Sequence, residues 1–315
     1  MQINRLWTAM LTRESRDSET DSSIHVSVNT NGVERLNHTF SDTQQTDQER
    51  GIANLYDVDV TDNGIQSEQL TDSSIRLGIN GDDAWRPQHV FVFGEGVTRP
   101  GVNETQAVAI ETEIDTTLST DASEGPSSVP LHLVGNGSGS LAIRRLFILM
   151  RSQASDRPPE DGGIFATAVP HEDLTDAPLE IQIVSQGRLV VLFQIRDTPQ
   201  EDLEFGEANF YTMPVIVPFT RAELESDAIT LRIMGMDDYE PLSLFIFGAD
   251  QAAGRPTSMV PLVSIPNWQQ AGLGVIDYDP TNGTGSVTLP LAALPTEVQP
   301  VVETPSLAAR RSHRS

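Results

Sequence analysis

The chain has 315 residues, 45 of them acidic and 20 basic, for a formal net charge of −25; it contains no cysteine and no lysine, so every basic residue is arginine. The absence of cysteine excludes a disulfide framework, a thiolate nucleophile and a cysteine metal site. So acidic a body repels nucleic acid and anionic membranes, whose phosphates need a cationic surface.

In chain order, period-two alternation and β-branched residues mark strands at Ile24 to Val28, Leu55 to Val60, Ile75 to Ile79 and Val90 to Phe93, then at Leu179 to Val184, Leu189 to Ile195, Ile229 to Ile233 and Leu244 to Phe247. Turn residues separate them at Asn31-Gly32, Asp62-Asn63-Gly64, Asn80-Gly81, Gly162-Gly163 and Asn282-Gly283. Long helical periodicity is absent; only Thr220 to Glu223 has the spacing of a capping box. The longest apolar runs, around Leu189 to Phe193 and Leu242 to Gly248, are too short to span a bilayer. No charged head followed by an apolar run opens the chain, so the expectation is a cytoplasmic or otherwise soluble protein without a classical signal peptide. Adaptation to high salt and a GC-rich genome both account for arginine without lysine.

The pattern occurs twice. Ile3 to Met10 returns as Ile143 to Met150, Asn54 to Tyr56 as Asn209 to Tyr211, and Leu70 to Gly94 as Leu224 to Gly248. Within the last stretch Trp85 becomes Tyr239 and Pro87 becomes Pro241; later, Asp121 to Gly125 returns as Asp279 to Gly283. A period this long is one domain per copy rather than a solenoid unit, and each copy can bury its own core. The expected fold is all-β: two duplicated antiparallel β-sandwiches at 1–134 and 141–294, a flexible Gly/Ser linker at 135–140, and a disordered, proline-containing tail at 295–315 that ends in the only cationic cluster.

The order of features in each copy resembles the PLAT (lipoxygenase-homology) β-sandwich. Leu6 to Thr12 leads to Thr20-Asp21 and the strand Ile24 to Val28. Ile75 to Ile79 then leads to Asp82-Asp83, Trp85 and Val90 to Phe93, and Asp121 to Gly125 precedes Val129 to Leu133. The second copy keeps Glu160-Asp161, Asp237-Asp238, Tyr239 and Asp279 to Gly283, with Glu160 and Tyr239 replacing the family's threonine and tryptophan. Thr117-Leu118 and Val275-Ile276 stand where the family usually carries another tryptophan. The resemblance implies a mostly non-catalytic module for protein or lipid contact, sometimes with calcium held in loops at one end.

Candidate chemistry rests on carboxylates. Calcium takes six to eight oxygens, which aspartate-bearing loops supply. The resemblance brings Asp21, Asp82 and Asp83 to one end of the first sandwich, and Asp161, Asp237 and Asp238 to that of the second. An acidic protein also places carboxylates on loops simply for solubility. The six histidines, His25, His38, His89, His132, His171 and His313, share no metal-ligand spacing. The repeat aligns His25 with Ala166 and His89 with Ser243. There is no G-x-S-x-G, and without lysine there is no phosphate loop. Trp7 and Trp85, replaced by Phe147 and Tyr239, are core positions; Trp268 has no counterpart and is a candidate partner anchor. Arg310, Arg311 and Arg314 of the tail are candidate contacts to a neighbour.

The expected function is non-enzymatic: tandem sandwiches that dock a protein, themselves included, or an apolar or lipid ligand, with calcium as an assisting ion. The alternative is a structural subunit of a larger assembly whose arginine tail reaches a neighbour. An enzyme with carboxylate chemistry lacks a paired acid–base motif.

Overall fold

The computed structural model describes residues 1–40, 48, 50–99, 102–152, 177–195, 208–235, 238–277 and 285–294. Within them the chain is all-β, with single 3-10 turns as its only helical pieces. No described helix is long and apolar enough to cross a membrane. The first half supplies β1 (Gln2–Thr12), β2 (Ser23–Thr30), β3 (Val33–Thr39), β4 (Ala53–Asp59), β5 (Ile65–Gln66), β6 (Ile75–Asn80), β7 (Pro87–Arg99), β8 (Val102–Thr112) and β9 (Ser128–Leu131), followed by β10 (Gly135–Asn136). The second half supplies β11 (Ala142–Ser152), β12 (Leu179–Ser185), β13 (Arg188–Ile195), β14 (Ala208–Thr220), β15 (Ile229–Ile233), β16 (Asp238–Tyr239), β17 (Pro241–Ala249), β18 (Ser258–Ile265), β19 (Ile276–Asp277) and β20 (Ser286–Thr288).

Each half is two layers. In the first, an outer sheet β3-β2-β6-β9 faces an inner sheet β4-β1-β7-β8; in the second, β13-β12-β15-β20 faces β14-β11-β17-β18. Strand order and register agree between the halves. Trp7 pairs with Phe93 as Phe147 pairs with Phe247, and Val26 pairs with Leu77 as Ile181 pairs with Leu231. Irregularities recur too: the ladder shifts between Leu11 and Thr12 as between Arg151 and Ser152, and between Val28 and Asn29 as between Ile183 and Val184. The two outer hairpins turn through consecutive left-handed residues, Asn31-Gly32 (φ 52° and 77°) and Gln186-Gly187 (φ 50° and 73°), which match the twist of the flanking strands. Only the first of these turns carries the Asn-Gly signature.

Alternation builds each sandwich core. Ile24, Val26, Val28, Ile75, Leu77 and Ile79 of the outer sheet meet Ile3, Leu6, Met10, Val90 and Val92 of the inner one. Leu179, Ile181, Ile183, Ile229 and Leu231 meet Ile143, Leu146, Ile148, Leu244 and Ile246 in the same way. Burying these side chains stabilises each half by roughly 1.5–3 kcal/mol per large aliphatic residue.

A third core lies between the halves. The other faces of the two inner sheets, carrying Trp7, Phe91, Phe93, Phe147, Phe245 and Phe247, pack on one another. Phe91 and Phe245 hold equivalent positions opposite Ala9 and Leu149. The ring pairs Phe93–Phe245 and Phe91–Phe247 are 4.7 Å and 4.8 Å apart, and Phe93–Phe247 is 5.2 Å. Position i meets j and j meets i, as across a two-fold axis, but within one chain. Asp57 adds a polar clasp, 3.7 Å from Arg5 of the first half and 3.8 Å from Arg151 of the second.

The halves are therefore not two bodies on a slack tether. Ala53 bridges to Ala208, and a ten-stranded hydrogen-bonded sheet runs through both inner layers. Gly135-Asn136, expected as linker, pairs in parallel with Ser258-Met259, and the Gly137 N–H donates to the Met259 carbonyl at 2.7 Å. The glycines here permit close approach rather than looseness: a Cβ on Gly137 would lie 2.5 Å from Leu141 Cδ2. The expected tail, 295–315, lies outside the described residues.

Candidate functional site

The loops after β1 and β6 do bring Asp21 and Asp83 together at one end of the first half. The Asp21 N–H donates to Asp83 Oδ2 at 3.3 Å, and the Ala84 N–H donates to Asp83 Oδ1 at 2.9 Å. The Asp83 N–H donates to Ser22 Oγ at 3.1 Å, which locks the two loops to each other. Asp21, Asp82 and Asp83 are all exposed. An open groove of about 520 Å³ beside them is lined by Asp17, Glu19, Asp83, Ala84, Arg86, Thr117 and Glu124. Its one cation, Arg86, donates from Nε to Thr117 Oγ1 at 3.0 Å. Among the described residues no three carboxylates or histidines converge to hold a metal ion. The Asp83 oxygens are engaged by backbone N–H groups, as a turn-stabilising carboxylate is.

Asp161 and Asp237, the counterparts in the second half, lie outside the described residues; the backbone of Asp238 pairs with Asp277. Arg310, Arg311 and Arg314 lie outside them as well.

Trp268 is corrected. It is fully buried in the second sandwich core, with its backbone N–H on the Leu242 carbonyl at 2.9 Å and its indole N–H on the Gly274 carbonyl at 3.2 Å. The turn after β18 folds the ring inward, where a large apolar surface with one satisfied donor is most stable. It cannot serve as a surface anchor.

Trp85 and Tyr239 sit at matching places. Both are fully buried, and each passes its polar tip to a hydroxyl at the end of the first strand of its half: Trp85 Nε1 donates to Thr12 Oγ1 at 3.0 Å, and the Tyr239 hydroxyl meets Ser152 Oγ at 3.1 Å. Trp85 bridges to Leu118 as Tyr239 pairs with Ile276.

Two of the described histidines are held by packing. His89 is buried against the second half, 5.7 Å from the Phe210 ring, and its Nδ1 accepts the Glu113 N–H at 3.2 Å. Burial, reinforced by Arg145 and Arg13, lowers its pKa to about 4, so it is neutral at pH 7. His25 lies over Gly78, where a Cβ would come within 2.4 Å of its ring, and burial lowers its pKa too. The register places Glu180 at the position of His25, not Ala166, which lies outside the described residues. Glu180 is held by Arg232 at 3.0 Å.

A second feature was not singled out in the sequence. On the edge formed by β13 and β14, Leu189 and Leu192 are 55% and 54% exposed, Ile216 is 94% exposed, and Val184 and Val217 are exposed beside them. Tyr211 of β14 lies 5.9 Å from Phe193 of β13, and Gln186 at the hairpin tip donates to Glu223, three residues past β14, at 3.2 Å, so the two strands run side by side along this edge. Between Pro214 and Phe219, strand β14 leaves its ladder with β11, turning Val215 inward and Ile216 and Val217 outward.

The first half has polar residues at the same places. Register puts Asn29 where Val184 is, Glu34 where Leu189 is, and Asn37 where Leu192 is. In place of Ile216 and Val217 it has the turn Thr61-Asp62-Asn63-Gly64, tied down by Thr61 N–H on Asp59 Oδ1 at 2.9 Å and by Asn63 on the Arg35 carbonyl. The missed signal was this substitution of apolar for polar residues at equivalent outward positions, which becomes visible once the register is known.

No protein-family model matches the chain, and neither a curated protein nor a solved structure does.

Proposed function

We propose that this chain is a non-enzymatic docking protein, made by duplication of a PLAT-like sandwich, whose second half offers an apolar edge to a protein partner. One observation carries the reading. Two layered halves with the same strand order differ at Asn29/Val184, Glu34/Leu189, Asn37/Leu192 and at the turn 61–64 against Ile216 and Val217, always polar in the first and apolar in the second. Exposed apolar side chains on an edge strand cost solubility and invite strand addition, and a protein that keeps them has a use for them. The repeated register and bulges support the duplication, and the acidic loops meeting at Asp21 and Asp83 support the family resemblance. The chemistry-bearing residues described above serve packing and turns, which supports binding over catalysis.

The test writes the first half's residues into the second, as Leu189→Glu with Leu192→Asn. The variant is expected to keep the wild-type melting temperature, since both side chains are exposed, and to lose a cross-linked partner that the wild type and a Glu34→Gln control retain. Equal cross-linking by variant and wild type overturns the reading. Retention on neutral phosphatidylcholine vesicles that the variant loses would make the ligand lipid rather than protein. The calcium-assisted form of the reading rests on Asp21, Asp82 and Asp83, and calorimetry with Asp83→Asn tests it.

A further inference from the structure

We infer that the partner of the apolar edge is an extended polypeptide strand with a basic residue at the end that lies over Val184 and Leu189. This rests on the docking reading above and adds the chemistry of the partner. A second difference between the halves and the form of the edge carry it.

The difference is in the turn beside the edge. The Val184 N–H donates to the Ala228 carbonyl at 2.8 Å and the Ala228 N–H to the Glu225 carbonyl at 3.1 Å, which sets this turn against the hairpin end of the apolar row. The first half has the same two bonds, from Asn29 to Ser74 at 2.7 Å and from Ser74 to Thr71 at 2.8 Å. They make Thr71 the counterpart of Glu225 and Ser73 that of Asp227, and all four side chains are exposed. Asp72, the acid of the first turn, accepts the Leu133 N–H at 3.0 Å and is replaced by Ser226. Where the edge changes from polar to apolar, the turn at its end gains two outward carboxylates.

Their charge is not used inside the fold. Glu223, just before them, is engaged: it accepts the Thr220 N–H at 2.8 Å and Gln186 at 3.2 Å. Among the described residues the side-chain ion pairs of the second half join Arg151 to Asp57, Arg232 to Glu180 and Arg255 to Glu111, and none reaches Glu225 or Asp227. Arg221 of the adjoining turn gives Nη2 to the Ala292 carbonyl at 3.1 Å. Arg188, exposed at the start of β13, offsets one of the two carboxylates and leaves the other. The net charge of −25 adds attraction for a cationic strand and repels an anionic one, a second copy of this body included.

The form of the edge selects a strand. Among the described residues β13 ends its sheet, so one row of its N–H and C=O groups is open to strand addition. Main-chain bonds along β13 would hold the partner, and Leu189 and Leu192, about 10 Å apart along the strand, would take alternate apolar side chains. A strand in that place ends, in either direction, beside the turn that carries Glu225 and Asp227.

Fluorescence anisotropy of the full chain with two short labelled peptides tests this. Both alternate valine with threonine; one has arginine at each end and the other glutamate. The arginine peptide is expected to bind about fivefold tighter, and the preference to vanish at about 1 M salt. Glu225→Thr with Asp227→Ser writes in the first half's residues and should remove the preference without changing the melting temperature. Asp17→Asn with Glu19→Gln, an equal change of charge in the first half, should leave it. Equal binding of the two peptides to the wild type overturns the basic partner and leaves the docking reading standing. A preference that survives Glu225→Thr with Asp227→Ser, or falls as much in the first-half control, assigns it to net charge and overturns the basic partner too. Binding of neither peptide, or equal binding of both by Leu189→Glu with Leu192→Asn and by wild type, overturns both readings.

Discussion

Replacing Phe93 with alanine removes a ring from the centre of the inter-half core. Phe93 is fully buried, with ring centroids at 4.7 Å (Phe245), 5.2 Å (Phe247), 5.3 Å (Phe91) and 5.9 Å (Trp7). Truncating a buried phenylalanine costs about 3–5 kcal/mol, and four aromatic neighbours that cannot close a cavity without leaving their own strands put this site near the upper end. Against a usual total of about 5–15 kcal/mol, the variant stays folded but marginal. Its melting temperature should fall by about 10 °C, from a typical 2–4 °C per kcal/mol for large domains. The deciding measurement is hydrogen exchange strand by strand. Two of the four partners belong to the second half, so β17 and β18 should lose protection together with β7 and β1, and calorimetry should show one transition. A first half that loosens while β17 keeps wild-type protection, or two separate transitions, would show that the halves fold independently and that the shared core is only a contact.

Three further outcomes follow from buried contacts. Trp85→Phe strands the Thr12 hydroxyl and should cost about 1–3 kcal/mol by urea denaturation, part of which Thr12→Val in the same chain restores, with a coupling of about 1 kcal/mol. His89 has a folded pKa near 4 against 6.5 unfolded, so only the unfolded chain takes up its proton between those values; stability should be complete above pH 6.5 and fall on acidification toward pH 4, by up to roughly 3 kcal/mol, and His89→Gln should flatten that stretch of the urea midpoint-against-pH curve. Gly125→Ala would set a Cβ 2.0 Å from the Thr117 carbonyl oxygen beside the acidic groove and should cost about 1–3 kcal/mol in the same assay, whereas Gly274→Ala, with open space around it, should stay within about 0.5 kcal/mol of wild type.

What was legible in the sequence was what burial dictates. Alternation in Ile24 to Val28 and Ile75 to Ile79 revealed half-buried outer strands, and the paired appearance of Trp85 and Tyr239 revealed a shared core position. The continuous runs Val90 to Phe93 and Leu244 to Phe247 carried more than the strand assignment drawn from them. A strand apolar on both faces is covered on both faces, and here the second cover is the other half. Trp268 misled because a tryptophan among polar neighbours resembles a surface anchor until the turn that swings it inward is known. Gly135 to Gly139 misled in a related way, since glycine permits both looseness and close packing, and composition does not distinguish them. At the acidic end, the meeting of Asp21 with Asp83 agreed with the order of motifs, but backbone N–H groups as ligands of Asp83 leave no trace in side-chain spacing.

The two halves diverge where packing places no demand. Phe93 and Phe247, or Val26 and Ile181, have to stay apolar because each faces a core that exists only if both do. No such constraint holds at Glu34 and Leu189, whose side chains both face away from the core, so the difference between them is not required for folding. An exposed leucine gains nothing from the folded state alone, and on an edge strand it raises the risk of unwanted pairing. The first half shows that this position accepts a glutamate on the same backbone, with Asn29 across the ladder and Asn37 further along. Val184, Leu189 and Leu192 of the second half, together with the detour of β14 that carries Ile216 and Val217 into the open, are the surface that the proposed docking role would use. Pairing the inner sheets back to back buries the face that each half would otherwise have to protect. It leaves the outer edges as the surface on which the two halves can differ, with Leu189 and Leu192 standing where Glu34 and Asn37 stand in the first half.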